Sequence, residues 1–212
     1  MLPITLDWQV CPDGVRVDYG RPGEGDDRIL YVFRSTRRTA RSYDVSDLSS
    51  PLVLNFLNSS DTIEKRANFF AAHGMLDRPE DGLRDDEWTS EALGILDNAV
   101  RIGPLAEHPE RIETLNDLLR TSLTIHLGFD YLGPDQAKRM VLRPHSLFDL
   151  MCAEVAMAAE VNAVLTSCEN CSKLFYTGHL TGRRSTARYC SDRCRAAANR
   201  RLSGSQEGGR NG

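Results

Sequence analysis

Four cysteines in the last quarter of the chain stand at the spacing of metal ligands. Two residues separate Cys168 from Cys171, three separate Cys190 from Cys194, and eighteen join the two pairs. Two thiolates two residues apart on a tight turn can face one ion, and a second pair returned by a hairpin-length connection completes a shell of four. The chemistry this implies is one structural Zn2+ in a closed thiolate tetrahedron. A filled shell has no open position for water or substrate, so catalysis at such an ion is not expected. The competing reading, free or redox-active thiols, gives no reason for two pairs at ligand spacing. His179 lies between the pairs, but four sulfurs already complete the shell. Cys11 and Cys152 stand far apart in the sequence and extend neither pair.

These ligands need elements to hold them. Ser191 is a natural N-cap for a helix running through RAAANRRL, which puts Cys194 in the first turn, where backbone N–H groups favour a thiolate. Phe175 and Tyr189 are expected to form a small apolar cover beside the metal. A knuckle, a hairpin and a ligand pair at a helix start describe a treble-clef-like finger over residues 166–202. The metal supplies on the order of 10–16 kcal/mol in small structural fingers, which is most of their folding energy.

The same region is basic. Residues 168–212 carry one lysine and eight arginines against three acidic residues, a balance of +6, whereas residues 1–167 carry 17 basic and 27 acidic ones, a balance of −10. Part of this charge can offset the −2 of a tetrathiolate zinc centre. Lys173, Arg183, Arg184, Arg188, Arg193, Arg195, Arg200 and Arg201 exceed that need. Small alanines between arginines on the terminal helix let it approach a phosphate backbone closely, which predicts nucleic-acid contacts by these eight residues. Cys194, Ala198 and Leu202 are expected to face inward, with Arg193, Ala197 and Arg200 on another face.

Upstream, GVRVDY and RILYVFR alternate about a turn-rich RPGEGDD and read as a β-hairpin within residues 1–50. The polar stretch that follows, with Arg34, Arg37, Arg38 and Arg41, reads as a solvated loop or strand edge. From Pro51 the periodicity is helical: Asp61 to His73 with a cap at Asp61 and a stop at Gly74, a helix from Asp85 or Asp86 to about Arg101, and another from about Pro109 to Ser122 with Ile112, Leu115, Leu118 and Leu119 buried. LTIHLGFDYL and KRMVLRP flank Gly133-Pro134-Asp135 as a second hairpin. Ser146 and Asp149 form a capping box that opens an apolar helix through Leu165. Its acidic residues and Asn162 argue against a membrane span, and this helix is expected to deliver the chain straight into Cys168. The fold class expected is α+β: a mainly helical body at 51–165 with one or two β-hairpins, a four-cysteine zinc finger at 166–202, and a disordered tail at 203–212. MLPITLDWQV has neither the basic nor the apolar region of a secretory signal, so a cytoplasmic location is expected.

Three segments resemble the bacterial family that joins an ABATE domain to a CGNR zinc finger. PLVLNFLNSSD is similar to the L-x-F-x-N-T-x-D stretch of that domain, MVLRPHSLFDLMCAEVAMAAEVNAVLTS to the arginine-proline entry and alanine-rich helix before its finger, and Arg183-Arg184 with Tyr189-Cys190-Ser191 to its R-R-W-C-S segment. Cys194-Arg195-Ala196-Ala197 stands where the family has Cys-Gly-Asn-Arg, and residues 1–50 have no counterpart. The resemblance implies a transcription regulator whose body senses a small-molecule ligand.

The functional expectation is therefore a zinc-finger nucleic-acid-binding protein, with DNA as the expected partner and an α-rich sensor or dimerisation body. The alternative is a protein–protein adaptor in which the finger caps the body and the arginines meet an acidic partner. A redox-sensing role through zinc-bound thiolates ranks below both. The scattered histidines His73, His108, His126, His145 and His179 match no hydrolase, P-loop or metalloprotease motif, so no enzymatic activity is expected.

Overall fold

The computed structural model describes residues 2–20, 30–35, 37–59, 61–77, 83–104, 111–131 and 138–207. Among them the fold is α+β. The strands are β1 (Ile4–Val10), β2 (Arg16–Gly20), β3 (Leu30–Arg34), β4 (Thr39–Val45), β5 (Leu83–Asp85), β6 (Ile125–Tyr131), β7 (Lys138–Pro144), β8 (Val164–Ser167) and β9 (Leu174–Thr177). The helices are α1 (Leu52–Leu57), α2 (Ile63–His73), α3 (Asp86–Val100), α4 (Ile112–Ser122), α5 (Leu147–Glu160) and α6 (Asp192–Glu207).

Both hairpins read from the alternating patterns are present, as the antiparallel pairs β2–β3 and β6–β7. The turns proposed for them, at 21–27 and 133–135, lie outside the described residues. The larger sheet has the order β4-β1-β7-β6. In it β1 runs antiparallel to β4 and parallel to β7. Ile4, Leu6 and Trp8 point from β1 into the core, while β4 is mostly exposed. The polar stretch after residue 34 is thus an edge strand, one of the two readings its composition allowed. β5 joins β2 and β3 in a second sheet, and β8 pairs with β9 in a third.

The core is one apolar cluster reaching from Ile4 to Tyr176. Phe33 meets Phe70 edge-on at 4.8 Å between ring centroids, and Phe56 stacks obliquely on Phe69 at 4.9 Å. Helix α5 runs through it with almost every side chain buried. Its capping box forms: Ser146 Oγ accepts from the Asp149 N–H at 3.0 Å and donates to Asp149 Oδ2 at 2.7 Å. The other Asp149 oxygen accepts the Thr124 N–H at 2.9 Å, so one carboxylate ties the helix start to the segment that leads from α4 into β6.

Several boundaries move. The cap of α2 is Thr62, whose hydroxyl accepts from Lys65 N–H, while Asp61 forms an ion pair with Lys65. Ile112, expected to be buried, is 43% exposed because it sits at the outer first turn of α4. Leu115 is buried, Leu119 partly so, and the side chain of Leu118 lies outside the described set. Helix α5 stops at Glu160 rather than running to Leu165. Asn162 takes a left-handed φ of 53°, and β8 then carries the chain to Cys168. A turn and the strand β8 therefore stand where an uninterrupted helix was expected. Helix α6 continues to Glu207, beyond the residue-202 limit expected for order; residues 208–212 lie outside the described residues.

Candidate metal centre

The first ligand pair sits on the loop that joins β8 to β9. The Cys168 N–H donates to Lys173 O at 2.9 Å and the Ser172 N–H to Cys168 O at 2.8 Å, closing a knuckle around Cys171. Ser172 holds a φ of 60°, a left-handed conformation that the small side chain tolerates better than a branched one would. The second pair begins α6 as the capping pattern predicts. Ser191 Oγ accepts the Cys194 N–H at 3.2 Å, and Ser191 O accepts the Arg195 N–H at 3.1 Å. The Glu169 N–H donates to Arg188 O at 3.1 Å, which ties the two halves together.

This local structure gathers four sulfurs. All lie within 4.8 Å of one another. The separations Cys171–Cys190 and Cys190–Cys194 are 3.6 Å, and Cys194–Cys171 is 3.7 Å. Ligands about 2.3 Å from a central ion stand about 3.8 Å apart along the edges of a regular tetrahedron. These three edges match that spacing, and the four cysteines lie close enough together to hold a metal ion. His179 is exposed and is not among the gathered ligands.

The electrostatics favour ionised sulfur at one member of each pair. Burial resists the Cys168 thiolate, but backbone N–H groups of Cys190, Asn170 and Cys171 together outweigh it and lower the pKa to about 6. The Ser191 hydroxyl, followed by Asn170, draws Cys194 down as well. Cys190 is pushed up to about 12 by burial and by the neighbouring sulfurs. Thiolates this close repel one another, and a cation between them removes that cause.

Phe175 is buried and Tyr189 partly buried, but Phe175 has a second use. The Arg183 guanidinium lies over its ring at 5.4 Å. From there Nη2 donates to Cys190 O at 2.8 Å and Nη1 to Ser49 O at 3.3 Å. Arg183 therefore bridges the second ligand pair and the loop before α1. Arg184, Arg188 and Arg195 share with it an open groove of about 790 Å³ beside the start of α6. Arg188 is paired with Glu169 and Arg195 with Asp192. Arg193 and Arg200 project from the exposed side of α6, seven residues apart, and Arg201 and Lys173 are also exposed. Among the described residues, no acidic partner engages Arg184, Arg193 or Arg200. Ala197 and Ala198 are half-buried along with Cys194; the side chain of Leu202 lies outside the described set.

Three residues important to this module carry no signal in its own sequence. Asn58, just after α1, pairs its side-chain amide with both backbone groups of Leu174 on β9. Leu48 donates its N–H to Leu180 O at 2.7 Å. Glu154 of α5, fully buried, accepts the N–H groups of Leu52 and Val53 at 3.0 and 2.8 Å and so caps α1 from a distance. With Tyr176 in the main core, the Asn58 and Leu48 contacts make the cysteine module continuous with the body, and Glu154 fixes the start of the helix from whose end Asn58 reaches out.

Comparison of the chain with protein-family models, curated proteins and solved structures finds no match. No helix among the described residues is long and apolar enough to cross a membrane.

Proposed function

We propose that the chain is a zinc-finger nucleic-acid-binding protein, with one structural Zn2+ on Cys168, Cys171, Cys190 and Cys194 and double-stranded DNA as its partner. The observation that carries this reading is the position of the sulfur tetrahedron at the first turn of α6, whose exposed side presents Arg193 and Arg200. Four thiolates in a closed tetrahedron suit zinc, which has no geometric preference of its own and readily takes this shell. The knuckle, the β8–β9 hairpin and the ligand pair at a helix start support a treble-clef-like finger. Arg184, Arg193 and Arg200, without acidic partners among the described residues, are available to phosphates. Such contacts give affinity and salt dependence with little sequence information.

The resemblance to ABATE and CGNR proteins extends the proposal to a cytoplasmic bacterial transcription regulator, with the α+β body as its sensing or dimerising part. A second reading, the protein–protein adaptor, draws on the ion pairs Arg188–Glu169 and Arg195–Asp192, which make some of the basic residues internal struts.

The test is a binding series of metal-analysed full-length protein against genomic DNA fragments at increasing salt. One zinc per chain is expected, with affinity falling as salt rises by a log–log slope of about −3 for three phosphate contacts. Binding that ignores salt, or that is unchanged when Arg193→Ala and Arg200→Ala are combined, overturns the nucleic-acid reading. Capture of an acidic protein after nuclease treatment favours the adaptor.

A further inference from the structure

The two edges of the larger sheet differ in kind. Strand β4 closes one edge with polar residues, among them Arg41, Ser42 and Asp44, which discourage pairing with another chain. Strand β6 closes the other edge without a lysine or proline along Ile125–Tyr131. On it Leu127 is 68% and Phe129 65% exposed, beside Met140 on β7 at 39%. These are not stray surface residues. The register Ile4↔Leu142↔Leu127 places Leu127 on the same sheet face as Ile4, which is buried. The apolar face of the sheet thus continues outward past its cover, from buried Ile4 through partly buried Leu142 to open Leu127.

The order of residues along β6 names the occupant. Ile125-His126-Leu127-Gly128-Phe129-Asp130-Tyr131 has matching character on either side of Gly128. A second copy of the strand laid antiparallel about a two-fold axis at Gly128 places Leu127 opposite Phe129, Ile125 opposite Tyr131 and His126 opposite Asp130, each pair occurring twice. Apolar residues then meet on one face, and a histidine meets an aspartate on the other. Gly128 is compatible with this centre. A Cβ there would come within 2.9 Å of Arg143 Nε, so Arg143 lies across the strand on the face away from Leu127 and Phe129.

We infer that β6 is a homodimerisation edge, joining the four-stranded sheets of two copies into one eight-stranded sheet centred on Gly128. The occupant is a second copy of this chain because the strand complements itself in polar and apolar pattern about Gly128, as a closed two-fold contact requires. The inference is independent of the metal and nucleic-acid readings. It stands or falls on association alone.

The test is sedimentation of the full-length metal-loaded protein over a concentration series. A monomer–dimer equilibrium is expected for the wild type. Phe129→Lys replaces an exposed side chain, so the fold is preserved, as checked by circular dichroism and metal content, while dimerisation weakens about tenfold or more. His126→Asp sets two acids opposite each other and weakens the dimer, and His126→Asp combined with Asp130→His restores it by exchanging the members of the pair. A wild type that stays monomeric throughout overturns the inference, whether or not another protein pairs with the strand. A dimer indifferent to Phe129→Lys and His126→Asp overturns it too, by placing the interface elsewhere. Failure of the double exchange to rescue overturns the register centred on Gly128.

Discussion

The side-chain amide of Asn58 closes two hydrogen bonds with the backbone of Leu174, donating from Nδ2 to the carbonyl at 2.8 Å and accepting the N–H at Oδ1 at 2.7 Å. An amide offers one donor and one acceptor side by side, the same pair that a neighbouring strand would offer to β9. Asn58 thus completes an edge of the metal module from a position 116 residues earlier in the chain. Asn58→Ala leaves both Leu174 groups without this partner in a half-buried groove. The expected cost is about 1–3 kcal/mol of stability, with metal content unchanged. Urea unfolding gives the first quantity, and amide exchange should show the loss concentrated in β8 and β9.

Substitution of the metal ligands should act on a smaller region than an isolated finger would suggest. Cys171→Ser or Cys194→Ser is expected to abolish binding of the ion and to open α6 and the two ligand turns. Tyr176, 2% exposed, keeps β9 in the main core, so the β8–β9 hairpin should stay protected. Amide exchange with and without a strong chelator resolves the two. Exposure of the hairpin along with α6 would show that the metal holds the whole module.

Arg183 should separate from Arg193 and Arg200 in what it controls. Arg183 is engaged by Cys190 O, Ser49 O and the Phe175 ring. Arg183→Ala is expected to lower stability by about 1–2 kcal/mol through the carbonyls left unpaired. Arg193→Ala and Arg200→Ala should leave the unfolding curve in place and each flatten the salt dependence of DNA binding by about one contact. Thermal unfolding and salt-series binding on the three variants check the division. Equal effects of all three on both measurements would contradict it.

Glu154 gives the protein a pH dependence with a definite sign. Burial is the dominant influence and raises its pKa to about 7, against the opposing pull of the Val53 and Leu52 N–H groups. In the unfolded chain the group titrates near the ordinary value of about 4.3. The folded state therefore binds the extra proton between these values. Its contribution is fully present below about pH 4.3 and is lost as pH rises towards 7, on the order of 3 kcal/mol in all. Glu154→Gln should be less stable at low pH, since one amide oxygen cannot accept from both N–H groups, and should lack this slope. Urea midpoints of wild type and variant between pH 5 and 8 provide the comparison, and parallel curves would refute the assignment.

Much of the metal centre was legible in the sequence because its determinants are local. The spacing of Cys168, Cys171, Cys190 and Cys194 falls within 27 residues, and the Ser191 cap acts across three. The Ser146–Asp149 box and the two antiparallel hairpins were readable for the same reason: hydrogen-bonding reach and alternation act between near neighbours. Where a pattern was continuous but the backbone was not, the reading failed. The apolar run from Leu147 to Leu165 hides a helix, a left-handed turn at Asn162 and the start of a half-exposed strand, since an apolar run does not by itself distinguish helix from strand.

The sequence by itself determined which residues could gather round an ion, where α5 and α6 begin, and that positive charge concentrates beside the cysteines. Only the tertiary structure decided that β1 sits between β4 and β7, that Glu154 caps α1, that Asn58 pairs with Leu174, and that Arg183 faces inward while Arg193 faces solvent. Most of these join groups far apart along the chain. A carboxylate, an amide or a guanidinium has the same hydrogen-bonding capacity wherever it stands; its partner is set by which surfaces the core brings together. For the same reason Leu127 and Phe129, as apolar in sequence as Leu6 and Trp8, became an open edge instead of a buried one.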